Sequence, residues 1–139
     1  MSLRVGTDIT VVSRFARVAS RARGRALVFT PAELAGLPDV LGPHEFEHLA
    51  GRFSAKESVA KVLGRGLGQG LTWQDVEVLR DPYGRPVVRL HRHARVLADE
   101  LGLGTVEVSI SHADDHAVST AVALAWPSAT DDARRAGPE

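Results

Sequence analysis

Leu3, Val5, Thr7 and Ile9 alternate with Arg4, Gly6 and Asp8 at the start of the chain. A period of two predicts a strand that ends near Asp8. From residue 11 the period lengthens. Val11, Val12, Phe15, Val18, Ala19 and Ala22 gather on one side of a helical wheel, so a surface helix should follow, with Arg14, Arg21 and Arg25 on its flank. Thr30-Pro31-Ala32-Glu33 has the form of an N-cap with Pro at the first helical position. The longest helical pattern spans residues 44–63, where Phe46, Leu49, Ala50, Phe53 and Ala60 form one stripe and Gly64 ends it.

Gly64, Gly66, Gly68 and Gly70 then make a loop whose backbone can approach a ligand or another chain. Residues 75–79 and 86–90 read as a hairpin joined through Asp81-Pro82-Tyr83-Gly84. Residues 93–101 read as a short helix closed by Gly102, and 106–111 and 117–125 as strands. One strand, several helices and then mostly strands predict an α+β single domain, with an antiparallel sheet packed against a long helix, rather than a βαβ array. That domain covers residues 1–126. The polar, Pro- and Gly-containing segment 127–139 is expected to be a disordered tail.

Composition narrows the function classes. The chain of 139 residues is 44% hydrophobic and 24% charged, which suits a globular domain and neither a disordered nor a membrane protein. Seventeen basic residues balance seventeen acidic ones, so no whole-molecule field draws the chain to nucleic acid or a membrane surface. With no Cys there is no disulfide framework, Cys-ligated zinc or thiol nucleophile, and the first residues lead into no signal-peptide run. The expected location is cytoplasmic.

Five groups could carry chemistry. Glu57 falls in the apolar stripe of the long helix, with Lys61 one turn on. A carboxylate facing a core needs a compensating partner, and Lys61 or a metal are the candidates; a plain i,i+4 ion pair is the simpler account. Asp8 could cap the following helix or, with Glu57, supply oxygens to Mg²⁺, which accepts one or two carboxylates beside phosphate and water. Arg14, Arg17, Arg21, Arg23 and Arg25 form a basic patch suited to an acidic protein helix. His44-Glu45-Phe46-Glu47-His48 matches the H-E-x-x-H zinc protease pattern, but both His fall opposite the apolar stripe and no third ligand declares itself. Ser111-His112 with Asp114 lacks the geometry of a serine hydrolase, and His112 could equally touch a substrate or serve the structure.

Taken together, Val5-Gly6-Thr7-Asp8-Ile9 with Arg14, and Arg52-Phe53-Ser54-Ala55-Lys56-Glu57-Ser58-Val59-Ala60-Lys61, resemble the two signature blocks of the holo-acyl-carrier-protein synthases, the small 4′-phosphopantetheinyl transferases. Gly64-Arg65-Gly66-Leu67, the hairpin from Trp73 to Pro86, and Val108-Ser109-Ile110-Ser111-His112 follow in the same order, so the likeness covers nearly the whole chain. The resemblance implies the fold of that family and transfer of the phosphopantetheine arm of coenzyme A to a Ser of an apo acyl carrier protein. It further implies Asp8 and Glu57 as Mg²⁺ ligands and Lys61 as a catalytic cation on the phosphates. Gly64 and Gly66 would line the coenzyme A site, with Arg52, Pro86 and His112 near its nucleotide. Arg14 and Arg21 would meet the carrier.

The resemblance also implies a homotrimer with active sites between subunits, in which Ala55, Val59 and Val62 would be a stripe to bury against a neighbour. Three features depart from the family pattern. Val11 stands where many relatives are acidic, Asp114-Asp115-His116 is more acidic than usual, and the tail beyond Trp126 is extra; the first two would suit a specialised carrier. The rival readings are a zinc protease using His44 and His48, and a non-catalytic adaptor for an acidic protein.

Overall fold

Strand β1 (Ser2–Val11) leads into helices α1 (Val12–Ala19), α2 (Ala22–Val28) and the short α3 (Pro31–Leu34), and then into the long α4 (Pro43–Leu63). A 3-10 turn (Trp73–Asp75) opens the hairpin β2 (Val76–Arg80) and β3 (Pro86–Leu90). Helix α5 (Arg92–Glu100) and strands β4 (Glu107–Ala113) and β5 (His116–Ala125) complete the order. This computed structural model describes residues 1–127. Apart from Pro127, the expected tail lies outside the described residues. Among the described residues all five strands pair antiparallel, but the single expected sheet is two: a three-stranded sheet in the order β1-β5-β4 and the separate β2-β3 hairpin.

Helix α4 is the spine. Leu49, Ala50, Ala55, Val59, Val62 and Leu63 are all buried, on more than one side of the helix, because the sheet, the hairpin and α1 surround it. Gly51, Ser54, Ser58 and Ala60 keep its surface low enough for that enclosure. Ala55, Val59 and Val62 are therefore covered by the chain's own core and are no surface for a neighbour. Helix α4 ends at Gly64, whose φ of 73° is the left-handed cap that glycine adopts without strain.

Strand β1 runs three residues past Asp8, so Asp8 neither ends the strand nor caps α1; Val11 holds the N-cap position. Gly6 and Thr10 are buried against α4, whereas Leu3, Val5 and Ile9 point outward and are 62%, 54% and 66% exposed. The polar and small set lies inside and the apolar set outside. The single expected helix after β1 is two, broken at Ser20 and Arg21, where Arg21 is extended. The break folds α2 back so tightly that a Cβ on Gly24 would meet the Val18 carbonyl oxygen. Val18 and Ala22 are left exposed rather than on a core stripe.

Candidate active site

Asp8 faces inward from β1 because it shares the strand face of Gly6 and Thr10. Its Oδ2 accepts from the hydroxyls of Thr10 and Ser54, each at 2.8 Å. Ser54 also shares a hydrogen bond with the buried Ser119, the β5 partner of Asp8 in the sheet register. These hydroxyls fix the carboxylate plane and occupy one oxygen. The other, Oδ1, lies 3.7 Å from Lys61 Nζ, which also donates to the Thr7 carbonyl at 2.6 Å. Asp8 thus spans Ser54 and Lys61, two residues that lie nearly in line along α4, and Glu57 stands between them in sequence, on the same side of the helix.

Glu57 is not the buried charge that the wheel suggests. It is half-buried, and its Oε1 accepts from the Trp73 indole Nε1 at 3.2 Å; Lys61 pairs with Asp8 instead. The buried charge is its neighbour Lys56, fully covered and salt-bridged to the equally covered Glu33 at 2.7 Å. Lys56 Nζ also donates to the carbonyls of Trp73 and Val76. Burial pulls the Lys56 pKa down and the Glu33 carboxylate opposes that. Lys56 lies in line with Leu49 and Leu63 at seven-residue intervals, which is the sequence signal that could have found it. Trp73 carries no such signal.

On the other side of α4, a cavity of about 150 Å³ is lined by His48, Arg52, Arg80, Pro86, Ile110 and His112, among others. Three of the residues assigned to the nucleotide by resemblance, Arg52, Pro86 and His112, thus meet in one place. Gly51 makes room for it: a Cβ there would stand 3.0 Å from His112 Nε2. Arg52 donates through Nη1 to the Glu33 carbonyl, but its Nε is buried with no partner among the described residues. Burial lowers the Arg52 pKa, with Glu33 opposing. His48 Nδ1 lies 2.8 Å from Arg80 Nη2, and burial followed by the charges of Arg52 and Arg80 pushes His48 down to about 4. A concave site with two guanidiniums, one of them holding an unpaired N–H, and an uncharged His favours a phosphate-bearing ligand.

His48 is therefore part of a basic cavity and not of the solvated face expected for it, while His44 is exposed. Among the described residues no cluster of three His, Cys, Asp or Glu could hold a metal ion, and the H-E-x-x-H match finds no third ligand there. Arg14 on α1 and Arg21 at the α2 N-cap are exposed; Arg25 instead turns back to the Ala19 carbonyl at 2.7 Å. Gly64 and Gly66 sit beyond the C-terminus of α4, away from the cavity at His48. The acidic turn before β5 has a structural task. Asp115 accepts from the Ser13 N–H at 3.0 Å and from its hydroxyl, and so caps α1 across the fold.

A family model described as the 4′-phosphopantetheinyl transferase superfamily matches residues 4–121. A holo-[acyl-carrier-protein] synthase of Moorella thermoacetica is 50% identical over 124 residues, 88% of this chain and 92% of its own length. One from Caldanaerobacter subterraneus subsp. tengcongensis is 42% identical over 125 residues, 89% of this chain and 96% of its own. A solved structure of an ACPS-CoA complex from Chronobacterium ammoniagenes is 28% identical, with a TM-score of 0.77 over 91% of this chain and all of that one.

Proposed function

We propose, from the premise that this chain belongs to the 4′-phosphopantetheinyl transferase superfamily, that it transfers the 4′-phosphopantetheine arm of coenzyme A to a Ser hydroxyl of an apo acyl carrier protein. The Ser oxygen bonds to the phosphorus that bears the pantetheine arm. The bond from that phosphorus to its bridging oxygen breaks, adenosine 3′,5′-bisphosphate leaves, and the Ser proton is released.

The observation that carries the reading is the crossing of β1 over α4, which sets Asp8 against Ser54 and Lys61 with Glu57 in the same stretch of helix. Phosphoryl transfer asks mainly for positioning and for charge opposite the phosphate oxygens. Lys61 supplies a fixed cation. Asp8 Oδ1 and Glu57 form an all-oxygen donor set, the kind that Mg²⁺ accepts in company with phosphate and water. Mg²⁺ held there would neutralise charge on the diphosphate. The Asp8 plane is already set by Thr10 and Ser54, so this ligand needs no reordering to serve. Arg52 and His112 would meet the nucleotide or its phosphates, with Pro86 lining the same cavity, and Gly64 and Gly66 would line the coenzyme A site.

In one chain the acidic centre and the basic cavity flank α4 on different sides, with Asp8 and His112 on the opposite edge strands of the three-stranded sheet; strand spacing puts those edges roughly 10 Å apart, and the two residues are offset along them as well. The buried Ser54 and Ser119 lie between them. A single coenzyme A that uses both kinds of site is more readily served by the acidic centre of one copy and the cavity of another. The outward face of β1 and β5, with Leu3, Val5, Ile9 and Leu124 exposed, offers an apolar surface for such assembly. The homotrimer with sites between subunits is what the family resemblance implies, and the exposed sheet face suits its contacts better than the covered Ala55, Val59 and Val62. Arg14 and Arg21 would receive an acidic helix of the carrier. Among the described residues no helix is long and apolar enough to cross a membrane, and a cytoplasmic location suits the substrates.

The test is the intact mass of an apo acyl carrier protein incubated with this protein, coenzyme A and Mg²⁺, with and without EDTA. A gain of one phosphopantetheine arm that EDTA abolishes is expected. Asp8→Ala and Glu57→Ala should both lose it while remaining folded; near-normal transfer in either variant removes the metal assignment.

A further inference from the structure

Lys56 and Glu57 are consecutive on α4, and both end on Trp73. Lys56 Nζ donates to the Trp73 carbonyl at 2.9 Å and to Val76 in the following strand. Glu57 Oε1 accepts a hydrogen bond from the same residue's indole Nε1 at 3.2 Å. The helix thus holds the 3-10 turn by its backbone, and the turn holds the carboxylate by its side chain. A fully covered lysine is costly, and its stability benefit over an apolar residue is small. Glu33 answers the charge of Lys56, and Glu33 is itself anchored by the backbone N–H of Thr30 and of Val78, each at 3.0 Å. The covered pair sets the position of one turn, and that turn presents one indole N–H to one carboxylate.

We propose that Trp73 is a positioning residue for Glu57: its indole N–H fixes one carboxylate oxygen and directs the other to Mg²⁺, with Lys56 and Glu33 holding the turn in place. This rests on the reading of Glu57 as a metal ligand. Hydrogen bonds from an outer shell orient a ligand and typically change metal affinity by about tenfold or more when removed. Asp8 has its outer shell in Thr10 and Ser54. Trp73 gives Glu57 the equivalent from a different part of the chain.

Trp73→Phe keeps an aromatic ring and removes the donor. It should raise the Mg²⁺ concentration for half-maximal transfer by about tenfold, with the KM for the carrier and the thermal midpoint little changed. A Trp73 that only fills space predicts the reverse, a lower midpoint with the Mg²⁺ requirement intact. A second readout does not depend on turnover. The chain has two Trp, so Trp126→Phe leaves Trp73 as the sole indole fluorophore. In that background, with coenzyme A present and no carrier, added MgCl₂ should change Trp73 emission, and a further Glu57→Gln should abolish the change.

An unaltered Mg²⁺ requirement in Trp73→Phe, or an emission response that survives Glu57→Gln, overturns the inference while leaving the transferase reading in place. Absence of transfer by the unsubstituted protein would instead overturn that reading, and this inference with it.

Discussion

Gly6 on β1 lies so close to Ser58 on α4 that a Cβ at position 6 would stand 2.1 Å from the Ser58 carbonyl oxygen and 2.9 Å from the Lys61 Cβ. The constraint is steric, and the obstacle is helix backbone that cannot swing aside. Asp8, two residues on along the same strand face, is held against Ser54 and Lys61 by this contact. Gly6→Ala should therefore lift β1 from α4. Overpacking of this kind costs about 1–3 kcal/mol, and a displacement near 1 Å at the site costs about a hundredfold in rate. Urea unfolding and the carrier mass-shift rate measure the two effects. Full activity in the variant would show that the crossing does not set the position of Asp8.

Lys56→Met tests the covered ion pair. Removing the cation leaves the Glu33 carboxylate covered with only backbone N–H donors, and the loss expected for such a broken pair is about 3–5 kcal/mol by denaturant unfolding. Because the turn at Trp73 loses its anchor as well, residual folded protein should also need more Mg²⁺.

His48 predicts the acid limb of stability. Its folded pKa of about 4 lies below the ordinary 6.5, so the folded state favours the neutral ring. That contribution is complete above about pH 6.5, declines as pH falls towards 4, and changes no further below that. Half-burial moderates its size. Thermal midpoints of the parent and His48→Gln from pH 4 to 8 should differ in slope between pH 6.5 and 4, the parent falling more steeply. Parallel curves would show that burial, with the charges of Arg52 and Arg80, does not hold His48 neutral in the folded state.

Asp115→Ala should loosen the start of α1. Loss of the bond to the Ser13 N–H costs about 1 kcal/mol, as for other N-terminal caps. Since α1 carries Arg14, the expected kinetic signature is a higher KM for the carrier with kcat nearly unchanged. A change in kcat alone would separate α1 from carrier docking.

Local periodicity was enough for the strands, the long helix and the hairpin, each within a few residues, because side-chain period is imposed by the backbone geometry of each element alone. The family resemblance likewise rests on motifs that are contiguous in sequence, and the match over residues 4–121 agrees with it. The break between α1 and α2 was not legible, since it falls at Ser20 and Arg21, where no Pro or Gly interrupts the helical pattern. Glu57 was assigned to a core because a wheel records one helix and not what surrounds it; α4 is covered on several sides, and the covered charge is Lys56.

What the sequence by itself determined is the set of local conformations and the identity of a few acidic and basic residues in recognisable order. Only the tertiary structure decided which of them meet. Asp8 and Ser54 are 46 residues apart, Glu57 and Trp73 are 16 apart, and Arg80 reaches His48 across 32. The energies of such contacts depend on distance and burial, which no linear spacing contains. The same reason explains β1. An alternating pattern specifies two faces, but the approach of Gly6 to α4 turned the polar face inward and left Leu3, Val5 and Ile9 outside.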